Sequence, residues 1–232
     1  MSKEARPHTT AVILAGGSGK RMESNVTKQR MTLGKMSVLK RSVLAFEKCE
    51  DITDIVVVTR EDEVEFFRKE LSDISKMRTV CAGGDCRVES AKRGFACVDK
   101  ACEYVAIHDA ARPLIRPCDI SLVLDSAKEK GAAFAAAPLY DTVKIVDDKG
   151  RVTDTPVRSS LVRATTPQIF KKAVYEMAIS FCSDFSNVTD DNMMVEKMGH
   201  DVYAVLLDNE NPKITTRNDI KLAELLLGED NE

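Results

Sequence analysis

Two rhythms of apolar and polar positions alternate along the chain. Continuous apolar runs of strand length lie at 9–14, 54–59, 78–82, 104–108, 132–137 and 202–207. Between them apolar residues recur every three or four positions, as in Leu39, Val43 and Phe46, then Val64, Phe67 and Leu71 within 61–71. The same spacing continues with Val88, Ala91, Phe95 and Val98 within 87–98, and with Ile120, Val123, Leu124 and Ala127 within 118–130. Further helices are predicted at 171–181 and at 190–198, the second stopped by Gly199. A last short strand is expected at 213–216, where Thr216 and Asp219 form a capping-box pair for a helix holding Ile220, Ala223 and Leu227. One stretch breaks the rhythm: 142–146 and 151–153 flank Asp147-Asp148-Lys149-Gly150 and read as a β-hairpin. Strands alternating with helices predict an α/β fold with a doubly wound, mostly parallel sheet. We expect one domain over 1–232 with a protruding β-hairpin arm at about 139–162, or else a hairpin that is a simple surface excursion.

In such sheets ligands bind beyond the carboxyl ends of the strands, and three unusual stretches fall there. The first strand runs into Ala15-Gly16-Gly17-Ser18-Gly19-Lys20-Arg21-Met22, with Lys28-Gln29 soon after. Glycines let backbone N–H groups approach a bulky anion, and Lys20, Arg21 and Lys28 add positive charge. The implied guest is a polyphosphate. A Walker A loop is excluded because Arg21 follows Gly19-Lys20, and the dinucleotide fingerprint fails because Met22 stands where its third glycine belongs. The second stretch is Gly83-Gly84-Asp85, the third His108-Asp109. Asp109 is a hard oxygen donor suited to Mg²⁺, or else a helix cap or an ion-pair partner of Arg112. His108 continues an apolar strand, which favours an orienting or packing role over general-base work.

Composition narrows the field. At 232 residues the chain suits one α/β domain, and 34 Lys+Arg against 37 Asp+Glu give a net charge of −3, without the basic excess of a general nucleic-acid binder. No apolar run approaches the length of a membrane span, and residues 1–8 lack an apolar leader core, so a soluble, cytoplasmic protein without membrane or nucleic-acid partners is expected. Seven cysteines without a Cys-x-x-Cys pair read as free thiols, and none is spaced with the three histidines as a zinc site requires. A Gly-x-Ser-x-Gly elbow is also missing from the sequence.

The ordered set formed by the first loop, Gly83-Gly84-Asp85 with Arg87 and Ser90, and His108-Asp109-Ala110-Ala111-Arg112-Pro113 extends through Asp141-Thr142, Thr166-Pro167-Gln168 and Thr189-Asp190-Asp191 to Lys213-Ile214-Thr215-Thr216. It resembles the 2-C-methyl-D-erythritol 4-phosphate cytidylyltransferases across almost the whole chain, departing from the family at Asn192-Met193-Met194 and Pro212. The resemblance implies a Rossmann-like nucleotidyltransferase fold and attack of a polyol phosphate on the α-phosphorus of CTP, with Mg²⁺ present, in isoprenoid precursor synthesis. By position, Arg21, Lys28 and Lys213 would be catalytic and Asp109 would hold the metal. Ala15, Gly16, Gly17, Ser18, Gly19, Gly84, Asp85 and Ser90 would bind the nucleotide. Asp109, Arg112, Thr142, Arg158 and Thr189 would contact the acceptor, Thr142 and Arg158 across a homodimer that exchanges its β-arms. Alternatives weighed beside it are a ribitol-5-phosphate cytidylyltransferase and, more distantly, a CTP-binding regulatory module without turnover.

Overall fold

The computed structural model describes residues 6–17, 27–182, 185, 187–209 and 211–229. The chain opens with β1 (Thr9–Leu14), a short ribbon of β2 (Thr32–Leu33) and β3 (Met36–Ser37), and α1 (Val38–Lys48). Then come β4 (Asp54–Thr59), α2 (Val64–Glu70), β5 (Met77–Ala82), α3 (Arg87–Ala96), β6 (Tyr104–Asp109), α4 (Pro117–Lys130) and β7 (Ala132–Pro138). The hairpin strands are β8 (Ile145–Val146) and β9 (Val152–Asp154), followed by β10 (Val162–Lys171), α5 (Lys172–Phe181), α6 (Asp191–Lys197), β11 (Tyr203–Leu206) and α7 (Arg217–Glu229). Seven strands form one sheet in the order β11-β7-β10-β6-β1-β4-β5. The sheet is parallel except for β10, which runs antiparallel to both β6 and β7.

Side chains alternate across a strand, and here both faces are buried. Ala11, Ile13, Ile55 and Val57 pack with Leu39, Val43 and Phe46 of α1, Phe67 of α2, and Ile120, Val123 and Leu124 of α4. Their neighbours Val12, Leu14, Val56 and Val58 pack on the other side with Val88 and Ala91 of α3, Tyr175 of α5, and Met194 and Val195 of α6. Helices on both faces of a mostly parallel sheet give the doubly wound α/β arrangement. Helix α7 joins the body through a smaller cluster, in which Ala223 meets Leu33, Val38 and Ile214.

Local chemistry sets the helix ends. Ser37 caps α1 by accepting the Lys40 N–H at 3.0 Å. Helix α4 starts with Pro117, and Asp119 Oδ2 reaches back to the Arg116 N–H at 3.2 Å. Gly199 follows α6 at φ +84°, a left-handed conformation that a side chain would strain.

Three elements depart from the sequence pattern. The expected strand at 213–216 is irregular, because Pro212 offers no N–H, Ile214 N–H goes to Ala111 O at 2.8 Å, and Asp219 takes Thr215 N–H at 2.8 Å and Thr216 N–H at 2.7 Å. Strand β10 has no counterpart in the apolar pattern, since Pro167 interrupts it and its pairing with β7 shifts register between Ala164 and Gln168. The hairpin forms, but its first strand is limited to 145–146, while Lys144 Nζ crosses to Thr155 Oγ1 at 2.8 Å.

Candidate active site

A cleft of about 310 Å³ opens at the carboxyl ends of β1, β5 and β6. It is lined by the glycine loop after β1 (Gly16, Gly17), by Lys28 and Gln29, by Gly84, Asp85, Arg87 and Ser90 after β5, and by Asp109 and Lys213. A Cβ on Gly17 would make only ordinary contacts, with Lys28 Cε at 3.7 Å and Gln29 Nε2 at 3.5 Å. Gly83 is more constrained, because a Cβ would sit 2.6 Å from Ser90 Oγ, while one on Gly84 would sit 2.3 Å from Glu89 Cγ. The Ser90 hydroxyl shapes this second turn, accepting Gly84 N–H at 3.1 Å and donating to Cys86 O at 3.0 Å.

Asp109 is the electrostatic centre. Its carboxylate accepts Lys213 Nζ at 2.7 Å on Oδ2 and Arg87 Nε at 3.3 Å on Oδ1. Burial acts to raise its pKa, but Arg87 and Lys213 outweigh burial and hold the carboxyl well below the usual carboxylate range. Arg112 makes no ion pair with it; its Nη1 donates to Asn211 O at 3.1 Å. That contact, with Leu114 N–H to Asn211 Oδ1 at 3.0 Å and Ile214 N–H to Ala111 O at 2.8 Å, folds the segment after β11 back over the sheet and carries Lys213 to Asp109. Lys28 Nζ donates to Ile214 O at 3.3 Å, so both lysines share one side of the cleft.

His108 is fully buried, with Nδ1 3.0 Å from Thr166 Oγ1 and Nε2 3.2 Å from Arg112 O. Burial pushes its pKa down to about 4, so the imidazole is neutral at pH 7 and packs against Phe46 at 4.9 Å between ring centroids. That is a supporting place for the residue and not a general base's.

Among the expected site residues, Gly16, Gly17, Lys28, Gly84, Asp85, Ser90, Asp109 and Lys213 come together in the cleft. Ala15 lies beneath it, buried, with its N–H bonded to Val58 O at 2.6 Å. Ser18, Gly19 and Arg21, with Lys20, lie outside the described residues. Thr142 and Arg158 belong to the exposed arm, where Arg158 Nη1 donates to Tyr140 O at 2.9 Å, and Thr189 is an exposed residue before α6. The sequence pattern assigns no role to Arg87 or Gln29, although both belong to motifs that flank the cleft. A signal for Arg87 exists in its place at the first position of a helix just after a glycine turn.

As for a metal, no group of three or more His, Cys, Asp or Glu side chains that could hold one occurs among the described residues. One ionised carboxylate in the cleft is nonetheless a fitting donor for Mg²⁺, an ion that takes its other oxygens from phosphates and water.

The mostly parallel sheet, with cations gathered round an ionised carboxylate at the carboxyl ends of its strands, has the fold of an α/β nucleotidyltransferase. The family model for 2-C-methyl-D-erythritol 4-phosphate cytidylyltransferase (IspD) matches residues 9–229. The chain belongs to that family. It is 42% identical over 218 residues to the 2-C-methyl-D-erythritol 4-phosphate cytidylyltransferase of Endomicrobium trichonymphae, covering 94% of this chain and 97% of that one. The protein of the same name from Alkaliphilus metalliredigens is 36% identical over 224 residues, with 95% and 93% covered. The crystal structure of 4-diphosphocytidyl-2C-methyl-D-erythritol synthase from Anaerococcus prevotii superposes with a TM-score of 0.86 at 27% identity, covering 97% of this chain and 100% of that one.

Proposed function

We infer that the cleft between the two glycine turns is where this chain joins CTP to its acceptor. As a member of its family, the protein is an enzyme that transfers the cytidylyl group of CTP to 2-C-methyl-D-erythritol 4-phosphate, a step of non-mevalonate isoprenoid synthesis. A phosphate oxygen of the acceptor attacks the α-phosphorus, the bond from that phosphorus to the β-phosphate oxygen breaks, and its electron pair leaves with pyrophosphate. The products are 4-diphosphocytidyl-2-C-methyl-D-erythritol and pyrophosphate. The observation that carries the placement is the meeting of Lys28 and Lys213, 185 positions apart, beside Asp109 in one cleft.

In this reading Lys28 and Lys213 stabilise charge growing on the phosphorus centre and the leaving group, and Arg21 is assigned the same work by its place in the motif. Ala15, Gly16, Gly84, Asp85 and Ser90 read the cytosine and ribose, and Gly17, Ser18 and Gly19 are assigned to the nucleotide by their place in the glycine motif. Mg²⁺, held by Asp109, would neutralise phosphate charge when bound. Asp109, Arg112 and Thr189 face the acceptor, and Thr142 and Arg158 reach it from the arm of a second copy in a homodimer. We further propose that residues 1–232 act as one catalytic unit with its arm at about 139–162, working in the cytoplasm; the seven free cysteines support a reducing compartment. Among the described residues no helix is long and apolar enough to cross a membrane.

Pyrophosphate release with CTP and Mg²⁺, run in parallel with methylerythritol phosphate and with ribitol 5-phosphate, tests the reading. Release with the first acceptor and loss of it in Lys28→Ala is expected. Bound CTP with no release from either acceptor would overturn it.

A further inference from the structure

Behind the cleft the buried charges lead to Asp191. Its side chain is wholly buried, and a buried carboxylate is costly unless every lone pair is occupied. Asp191 Oδ2 accepts Arg87 Nη1, Oδ1 accepts Tyr175 Oη at 2.6 Å, and its backbone N–H donates to Gln168 Oε1 at 2.9 Å. Tyr175 is itself fixed, stacked on Phe170 at 5.1 Å and edge-on to Phe95 at 5.1 Å. Gln168 is held in turn, its Nε2 donating to Asp190 Oδ2 at 2.8 Å. The acid therefore has no room to follow a moving partner.

Arg87 is the link to the cleft. With Nη1 held by Asp191, its guanidinium meets Asp109 through Nε, at 3.3 Å from Oδ1. Guanidinium groups pair most strongly with a carboxylate through two parallel N–H bonds, and an Arg87 released from Asp191 would turn toward that geometry on Asp109. Arg87 would then bond both Asp109 oxygens and compete with Lys213, now 2.7 Å from Oδ2.

We propose that Asp191 is a positioning residue for the transfer reaction: by anchoring Arg87 it keeps one Asp109 oxygen available to Lys213 and to the ligands that arrive beside it. Tyr175 supports it by fixing the other Asp191 oxygen. This rests on the cleft being the cytidylyl-transfer site and adds a role for residues that never touch substrate.

The test uses Asp191→Asn and Tyr175→Phe in the full-length protein. Asp191→Asn keeps the shape and removes the charge, and should lower kcat/KM by roughly 10- to 100-fold, as loss of an orienting partner commonly does. The effect should fall on kcat and on KM for methylerythritol phosphate, with KM for CTP changed less. Tyr175→Phe should show a few-fold loss of the same kind and stands in if the asparagine variant does not fold. In parallel, the ¹⁵N–¹H signal of Arg87 Nε, assigned by its disappearance in Arg87→Lys, should shift or broaden in both variants. Unchanged kinetics per folded molecule with an unmoved Arg87 signal, whatever happens to the melting temperature, overturns the proposal. An inactive parent protein would instead count against the transfer reading, and the Arg87 signal would still decide whether Asp191 positions it.

Discussion

At the scale of single residues, the cleft separates groups that work on charge from groups that hold shape. Lys213 is part-exposed and engages Asp109 at 2.7 Å, so its ammonium is available to a phosphate that enters the cleft. A cation acting mainly on charge that develops in the transition state is worth on the order of 10²- to 10³-fold in turnover. Lys213→Ala should therefore lower kcat by about that factor while CTP binding, measured by calorimetry, changes much less; equal losses in both would make Lys213 a binding group only. His108 belongs to the other set, and its cost appears in pH dependence. Its folded pKa of about 4 lies below the ordinary histidine value, so the unfolded chain binds the extra proton first as pH falls. The stability its neutral form contributes is complete above about pH 6.5 and is lost as pH falls toward 4, a change of roughly 3 kcal/mol at most. Urea midpoints of the parent protein should fall across this window, and His108→Gln should flatten the slope; parallel slopes would place the acid sensitivity elsewhere.

At the scale of elements, α3 sets the spacing of the site, because it carries Arg87 and Ser90 and lies close on the sheet. A Cβ on Gly94 would stand 2.5 Å from Val12 Cγ1 and 2.6 Å from Val58 Cγ2, and neither strand residue can retreat from a sheet buried on both faces. Gly94→Ala should thus cost about 1–3 kcal/mol in chemical denaturation and weaken CTP binding by lifting Ser90 and Arg87 together. A variant as stable as the parent would show that α3 has slack. The strands that place the two glycine turns are legible in the sequence, because each is an unbroken apolar run ending at an unusual loop. Strand β10 is not, because Pro167 and the polar 163–166 stretch hide a strand whose ladder is broken in its middle. The site divides in the same way. Gly16, Gly17, Gly84, Asp85 and Asp109 are readable from their immediate neighbours, whereas the Arg87–Asp191 pair joins residues 104 positions apart and leaves no local trace. The motif around Lys213 points to the residue as part of a strand, but an Asp219-capped turn and the Asn211 contacts are what deliver it.

At the scale of the whole molecule, the arm is the feature that a single chain does not explain. A two-stranded hairpin is marginal in water, and this one exposes Ile145, Val146, Val152 and Val157, with Tyr140 at 68% and Val157 at 69% of full exposure. Apolar surface gathered on a projecting element is characteristic of a contact with another molecule. In a two-fold dimer that places each arm on its partner, the arm residues Thr142 and Arg158 would complete a cleft whose lysines belong to the other chain. This arrangement has a consequence that simple dimerisation lacks. Arg158→Ala damages what an arm supplies, and Lys213→Ala damages what a cleft supplies. In a mixed dimer, one composite site carries both defects and the other carries neither. Unfolding and refolding the two inactive variants together makes about half the dimers mixed, so activity should return to roughly a quarter of the parent value. If each site were built from one chain, every site in the mixture would keep one defect and no activity would return. A monomer in analytical ultracentrifugation at assay concentration would likewise rule out arm exchange.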